Sequence, residues 1–403
     1  MAKKKSDFAE LFKFATSEEE IKAVGEYVST GSLKFDIFLN GGYRCGLARF
    51  GAFSEHGKSA QGLTWAREWL MKYPETGIII YIDAEARMTY EKVSETGITD
   101  LPHFKWNDPN AEDLDFEDPE TFNGNFLHLP FNEYDKVADY ITALCRSNAY
   151  LKPKLRKRFF FVFDSLDAFI LSTDVEKSFS QPEKIGAAQT ISATLAKKTA
   201  PYTARYGHHF HVLSQMRANI NTTNPNSPKT KMSGGNAILH ASNLTGEIKK
   251  DWSQKLIYEN PTASTKELKG KVIGRIHVIY FHKTFNNKTH QTLEIPILYG
   301  KGVWLEAEII DVLLSYGGII KTGATCNLAP HLLSEIEEVF GGKKGFKKKF
   351  GTELKESWRS YRAAVNYLMD KKELADWLNV KCREMFIEEV PYLSESSTKD
   401  EII

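Results

Sequence analysis

Cysteine is scarce in this chain, with only Cys45, Cys145, Cys326 and Cys382 among 403 residues. They stand far apart, with no CxxC pair and no His-rich spacing. Neither a disulfide framework nor a zinc site is indicated, and a reducing cytoplasm is the expected compartment. Long apolar runs are missing too. No stretch of about 18 apolar residues occurs, and no apolar segment follows the basic start Met1-Ala2-Lys3-Lys4-Lys5. The chain is therefore expected to be neither exported nor membrane-spanning. Net charge is almost absent, at +1, so nothing attracts a polyanion to the molecule as a whole. Any nucleic-acid site must come from local clusters of Lys and Arg. The low hydrophobicity of disordered chains is also lacking, since 42% of residues are hydrophobic and 26% charged.

What is present is enough chain for one large domain and a smaller one. Residues 7–28 place Phe8, Leu11, Phe12, Phe14, Ala15, Ile21 and Val24 at spacings that suit one or two short amphipathic helices. From 46 to 302 the pattern changes to short apolar runs separated by helical stretches, the mark of an α/β protein with a mostly parallel sheet. Strands are expected at 48–53, 77–82, 158–164, 209–214 and 275–281. Residues 100–123 read as a surface insertion, and 218–233, rich in Asn, Thr, Pro and Ser, as a mobile loop. A boundary is placed near 305–325. Beyond it, residues 306–391 read as a small helical region with Trp358, Tyr361, Tyr367 and Trp377 in its core, followed by a flexible tail at 392–403. Lys343, Lys344, Lys347, Lys348 and Lys349 read as an exposed basic loop.

Three segments carry chemistry. The first, Ala52-Phe53-Ser54-Glu55-His56-Gly57-Lys58-Ser59, follows an apolar strand and opens a helix at Ala60, which is the setting of a phosphate-binding P-loop. Backbone N–H groups from Ser54 through Ala60 and the positive helix end would cradle phosphates, Lys58 would reach the β- and γ-oxygens, and the Ser59 hydroxyl would ligate magnesium. The pattern GxxxxGK[ST] wants glycine where this chain has Ala52.

The second segment, Ile79-Ile80-Tyr81-Ile82-Asp83-Ala84-Glu85, ends an apolar strand in acids at the sheet edge where α/β proteins place ligands. Glu85 there could orient an attacking water. The third, Arg158-Phe159-Phe160-Phe161-Val162-Phe163-Asp164-Ser165, has the form of a Walker B segment, with Asp164 the acid that holds magnesium through its water shell.

Taken with Ser29-Thr30-Gly31-Ser32-Leu33, Ser214-Gln215-Met216-Arg217, Gly234-Gly235-Asn236-Ala237 and Ile297-Leu298-Tyr299-Gly300, the order of motifs resembles the RecA family of recombinases, in the layout of its phage UvsX-like branch. The resemblance runs from about residue 29 to residue 303. It implies a RecA-like P-loop ATPase core at 29–305 and a protomer-contact segment at 1–28. The implied activity is that of an ATP- and Mg²⁺-dependent, DNA-stimulated ATPase. Such an enzyme would exchange DNA strands as a helical filament on single-stranded DNA, in recombination and repair. Implied partners are single-stranded DNA, homologous double-stranded DNA, further copies of the chain, and single-strand-binding and mediator proteins, with no membrane. If the chain is phage-encoded, the host cytoplasm is the compartment.

By the same resemblance Glu85 is the catalytic carboxylate and Gln215 the sensor of the γ-phosphate. One DNA-contacting loop lies at about 172–186, with Ile185 and Gly186 as its wedge, and a second at 217–236. In the second loop Arg217, Lys229 and Lys231 can neutralise phosphates, while Gly234, Gly235 and Asn236 let the backbone approach a strand. Two positions depart from the family. Its adenine-stacking Tyr falls on Lys92, leaving Tyr90 as the substitute. Its two cations that reach a neighbour's ATP fall on Lys283 and Phe285, with Lys288 the alternative to the second. A RecA-fold replicative helicase and a non-catalytic filament or scaffold protein are the rival readings. The Gly234-Gly235-Asn236-Ala237 loop end favours the recombinase, and the retained Lys58, Ser59 and Glu85 favour turnover.

Overall fold

A computed structural model describes residues 18, 21–22, 25–54, 56–115, 117–175, 177, 187–218, 230–233, 235–249, 255–260 and 269–387. The chain divides into two compact units. The first comprises Met1–Thr30, Tyr43–Gln254 and Val278–Thr292, and the second Gly31–Gly42, Lys255–His277 and Leu293–Ile403.

The first unit is an α/β sheet structure. Its parallel strands are β1 (Gly46–Ala52), β2 (Gly77–Asp83), β3 (Phe126–Leu129), β4 (Arg158–Asp164), β5 (His209–Ala218) and β6 (Leu244–Ile248). They lie in the order β6-β1-β5-β4-β2-β3. Residues 278–283 of the strand Val272–Lys283 join antiparallel to β6, which makes the sheet mixed. Strands β2 and β4 are buried along nearly their whole length, as a parallel sheet covered on both faces requires.

Alternation along β4 divides the core. Phe159, Phe161 and Phe163 face the helix Tyr134–Tyr150 with its Val137, Ile141 and Leu144. Phe160 turns to the other face and packs on Trp69 of the long helix Lys58–Lys72, following the two-residue period of a strand. Gly62 allows that helix to lie close, since a Cβ there would sit 3.3 Å from Val162.

The expected strands all form, 158–164 with the expected ends and the others with one or both ends shifted. Strand β5 runs four residues past residue 214 because Thr230–Met232 pairs with it antiparallel. Strands β3 and β6 are additions. Phe126-Leu127-His128-Leu129 has no β-branched residue. Strand β6 is interrupted by Gly246, which is there because a Cβ would meet the Phe50 ring at 2.5 Å. Residues 100–123 fold back on themselves, with the Asn107 side chain exchanging hydrogen bonds with the Gly124 backbone at 3.0 and 3.1 Å.

The second unit is built around Trp304, Ile309, Ile310, Leu313, Leu332, Ile336, Phe346, Val365 and Leu378. Its helices include Leu305–Ser315, Pro330–Val339, Tyr361–Met369 and Lys372–Phe386. Trp358 and Tyr367 are buried and Tyr361 and Trp377 pack against the same core, which agrees with the reading as core residues. Two expectations are corrected. The region also holds a three-stranded antiparallel sheet of Ile319–Thr322, Thr325–Leu328 and Ser357–Trp358. The basic run is the helix Gly342–Phe350 rather than a loop, because Phe346 and Phe350, one turn apart, pack against each other and on Phe340.

Candidate functional site

The carboxyl ends of β1, β2, β4 and β5 bring the expected site residues together. Register does this: Asp83 lies opposite Asp164, and Ala52 opposite Gln215. The loop after β1 ends at Gly57, whose φ of 76° is the left-handed conformation that favours glycine. Helix Lys58–Lys72 begins there with no side-chain cap and no acid in its first turn. Its uncapped N–H groups and positive dipole end suit an anion. Ala52 is still in the strand and fully buried. Its backbone needs no positive φ, so alanine fits the position where the motif has glycine.

Lys58 is buried, and its Nζ lies 3.4 Å from the Ala52 carbonyl, folded back over the loop. Burial lowers its pKa, opposed by the charges of Asp164 and Glu85. The ammonium is thus poorly solvated and ready to gain from an added anion.

The two acids sit in different settings. Asp164 accepts from the Ser59 hydroxyl at 2.5 Å and from the Tyr81 hydroxyl at 2.6 Å, both at Oδ2. Burial raises its pKa, and those two hydrogen bonds only partly offset this. Glu85 accepts at Oε1 from the Ser165 hydroxyl at 2.6 Å and from Gln215 Nε2 at 2.9 Å, while Oε2 pairs with Arg87 at 3.1 Å. Burial opposes its ionisation, but the hydrogen bonds from Ser165 and Gln215 and the charges of Arg87 and Lys58 outweigh burial and hold its pKa below the ordinary value. Glu85 is a fixed carboxylate with its lone pairs aimed by three partners.

Gln215 joins this carboxylate to the segment at 217–236. Its backbone N–H donates to Asp167 Oδ2 at 2.6 Å, and Arg217, two residues on, pairs with Asp167 Oδ1 at 3.1 Å. Arg217 is exposed, and Lys231 lies opposite it in the antiparallel return strand Thr230–Met232. Gly235 and Asn236 open the helix Gly235–Ala241.

The remaining expected residues are placed as follows. Ser54 and Ala60 are exposed, and the carbonyl of Ser54 lies 2.7 Å from His56 Nδ1. Tyr90 is exposed at the start of the short helix Tyr90–Ser94. Lys283 Nζ donates to the carbonyls of Leu239 and His240 at 3.4 and 3.0 Å, at the carboxyl end of the helix Gly235–Ala241. Phe285 stacks against Arg44 beside Tyr27. Glu55, Ile185, Gly186, Lys229 and Gly234, most of the 1–28 segment and all of the 392–403 tail lie outside the described residues.

Reading along the sequence missed Tyr81, Arg87, Ser165 and Asp167. The partners of Tyr81, Ser165 and Asp167 lie on or just beyond other strands, so no spacing signal in one segment could reveal them. Two local cues existed: Ser165 follows the strand-end acid, and Arg87 stands two residues after its partner Glu85.

The donor set also bears on a metal. Among the described residues, no group of three or more His, Cys, Asp or Glu could hold one. Ser59 and Asp164 offer only oxygen, one neutral and one acidic. Such a pair fits a magnesium ion that keeps most of its ligands as water and phosphate oxygen, and does not fit a stand-alone protein cage.

No protein-family model matches the chain. The chain is similar to Protein RecA of Borrelia hermsii, 24% identical over 228 residues, or 57% of this chain and 54% of that one. It is likewise similar to Protein RecA of Bordetella petrii, 24% identical over 310 residues, 76% of this chain and 73% of that one. Protein RecA of Francisella tularensis subsp. novicida is 29% identical over 163 residues, 40% of this chain and 41% of that one. The chain thus spans about half the length of the Borrelia relative it matches. No helix among the described residues is long and apolar enough to cross a membrane. An α/β architecture with a large mixed sheet thus stands beside distant, partial similarity to RecA proteins of several bacteria.

Proposed function

We propose that this protein is an ATP- and Mg²⁺-dependent DNA strand-exchange recombinase that works as a helical filament on single-stranded DNA, in the layout of phage UvsX-like recombinases. One observation carries the reading. Gln215 hydrogen-bonds the carboxylate of Glu85 with its side chain while its own strand runs directly into the segment 217–236. Chemistry at the sheet edge and the candidate DNA loop therefore share one residue.

In this reading the phosphates of ATP sit against the uncapped end of helix Lys58–Lys72, and Lys58 turns from the Ala52 carbonyl to the β- and γ-oxygens. Bound magnesium would supply charge neutralisation between those oxygens. Ser59 would ligate it, and Asp164, held by Tyr81, would hold its water shell. Glu85 orients the attacking water and accepts its proton. Gln215 exchanges part of its bond to Glu85 for the γ-phosphate, and the change is felt at Arg217 through Asp167. Tyr90 is the proposed adenine contact, and Lys283 the proposed cation toward a neighbouring copy's nucleotide. Homologous double-stranded DNA is the second substrate.

The test is a joint-molecule assay between single-stranded DNA and homologous duplex with ATP and magnesium, with Glu85→Gln as control. Joint molecules that require homology and ATP support the recombinase. ATP-driven duplex unwinding without pairing supports the helicase, and absence of both with intact DNA binding supports the scaffold.

A further inference from the structure

The segment 217–236 leaves the sheet along β5 and returns along Thr230–Met232, with Met216 opposite Met232 and Ala218 opposite Thr230. Gln215 holds the outgoing side. The returning side is gripped separately, by β1, the strand that leads into the phosphate loop.

Two contacts make this grip. Arg49 of β1 is buried, donates through Nη2 to the carbonyl of Ser233, and lies with its Nε 3.3 Å from the Ser214 hydroxyl. Two residues along the same strand, Gly51 leaves room for the Met232 side chain. A Cβ at Gly51 would lie 2.4 Å from Met232 Cγ, 2.6 Å from its Sδ and 3.0 Å from Met216 Sδ. The thioether therefore rests on the backbone that becomes the phosphate loop one residue later. Ser233 also donates through both N–H and hydroxyl to the Gln215 carbonyl at 3.3 Å, which ties the two sides of the segment together.

We propose that Arg49 and the Gly51–Met232 contact form a second link between the phosphate loop and the DNA-contacting segment, independent of the Gln215 side chain. The inference rests on the proposed function and deepens it by naming a regulatory path. A buried guanidinium that loses a carbonyl partner is costly, so Ser233 must follow Arg49. A glycine with methionine in van der Waals contact leaves no slack, so Met232 must follow Gly51. Any shift that bound phosphates impose on the end of β1 is passed to the return strand. By reciprocity, ordering of that strand on DNA is passed back to the phosphate loop. Arg49 and Met232 are positioning residues in this scheme: Met232 lies within the segment 217–236, but its side chain packs on Gly51 of β1.

The experiment measures affinity for labelled oligo(dT) by fluorescence anisotropy, with and without a non-hydrolysable ATP analogue, in the parent, Arg49→Lys and Met232→Ala. Thermal unfolding verifies that the variants fold, and Met232→Ala, a change on a half-buried side chain, guards against loss of fold at Arg49. The parent is expected to bind more tightly with the analogue. The variants are expected to keep nucleotide-free affinity and basal ATP hydrolysis within about twofold, and to lose about fivefold or more of the tightening. A purely structural role would leave that ratio alone, so folded variants that keep the full tightening overturn the link. A parent whose affinity ignores the analogue overturns the functional reading, and the link with it.

Discussion

Strand β5 has two halves with opposite chemistry. In its first half His209 and His211 are buried among Tyr43, Phe50, Trp65, Trp69 and Phe160. His209 keeps one contact, from Nδ1 to the Arg44 carbonyl at 3.1 Å, while its Nε2 and both ring nitrogens of His211 find no hydrogen-bond partner among the described residues. In its second half the Gln215 side chain, Gln215 N–H and Arg217 all find partners. The same strand thus buries polar rings as if they were apolar at one end and aims polar groups at acids at the other. Where polar groups are aimed, the sheet edge can do chemistry. Where they are merely buried, they make the fold sensitive to acid.

The largest expected effect lies at the aimed end. Glu85→Gln should lower ATP turnover roughly 10²- to 10⁴-fold with little change in ATP affinity, as read by steady-state hydrolysis beside equilibrium nucleotide binding. Turnover within about threefold of the parent would remove Glu85 from the chemistry.

The next effect belongs to the buried end. Burial pushes the pKa of His208 and His209 down to about 3 and that of His211 well below its ordinary 6.5. The folded state therefore resists protonation that the unfolded chain accepts from about pH 6.5 downward. Stability should be full above pH 6.5 and fall steadily toward pH 3. At pH 4.5 the loss is roughly 3 kcal/mol for each of His208 and His209, from about 1.4 kcal/mol per pH unit below 6.5. His211→Phe, which keeps a flat ring against Phe50, should move the acid-unfolding midpoint to lower pH by circular dichroism. An unchanged midpoint would mean that acid sensitivity resides in the carboxylates.

A smaller effect is expected at Tyr81. Tyr81→Phe removes one of two hydroxyls that hold Asp164 Oδ2, and the magnesium concentration for half-maximal hydrolysis should rise about two- to tenfold, the range of an ordinary net hydrogen bond of about 0.5–1.5 kcal/mol. No shift would leave the tyrosine as packing alone.

The smallest concerns Ala52. Because Ala52 has an ordinary strand backbone, Ala52→Gly should change turnover by less than about twofold and cost about 0.5–1 kcal/mol of stability through backbone entropy. A large gain in activity would show that the alanine strains the loop.

The two halves of β5 also differ in how far sequence reveals them. Lys58, Ser59, Glu85, Asp164 and Gln215 were readable because each ends or follows an apolar strand, and parallel strands deliver their carboxyl ends to one edge. Tyr81, Ser165, Asp167 and Arg49 were not, because their roles depend on register between strands far apart in sequence, while Arg87 pairs locally with Glu85 and shows no pattern of its own. Arg49 in particular looks like any charged residue in a strand until Ser233 is placed over it. The histidines gave no signal, since a His between apolar residues reads alike whether it is a ligand or a filler. The helix Gly342–Phe350 was hidden by its lysines, and only packing of Phe346 and Phe350 on Phe340 settled it.

The most direct test of the account is steady-state ATP hydrolysis with and without single-stranded DNA, in the parent and in Gln215→Ala. The account predicts that DNA stimulates the parent about tenfold or more, and that Gln215→Ala hydrolyses ATP without responding to DNA. Equal stimulation in both proteins, or a parent indifferent to DNA, would contradict it.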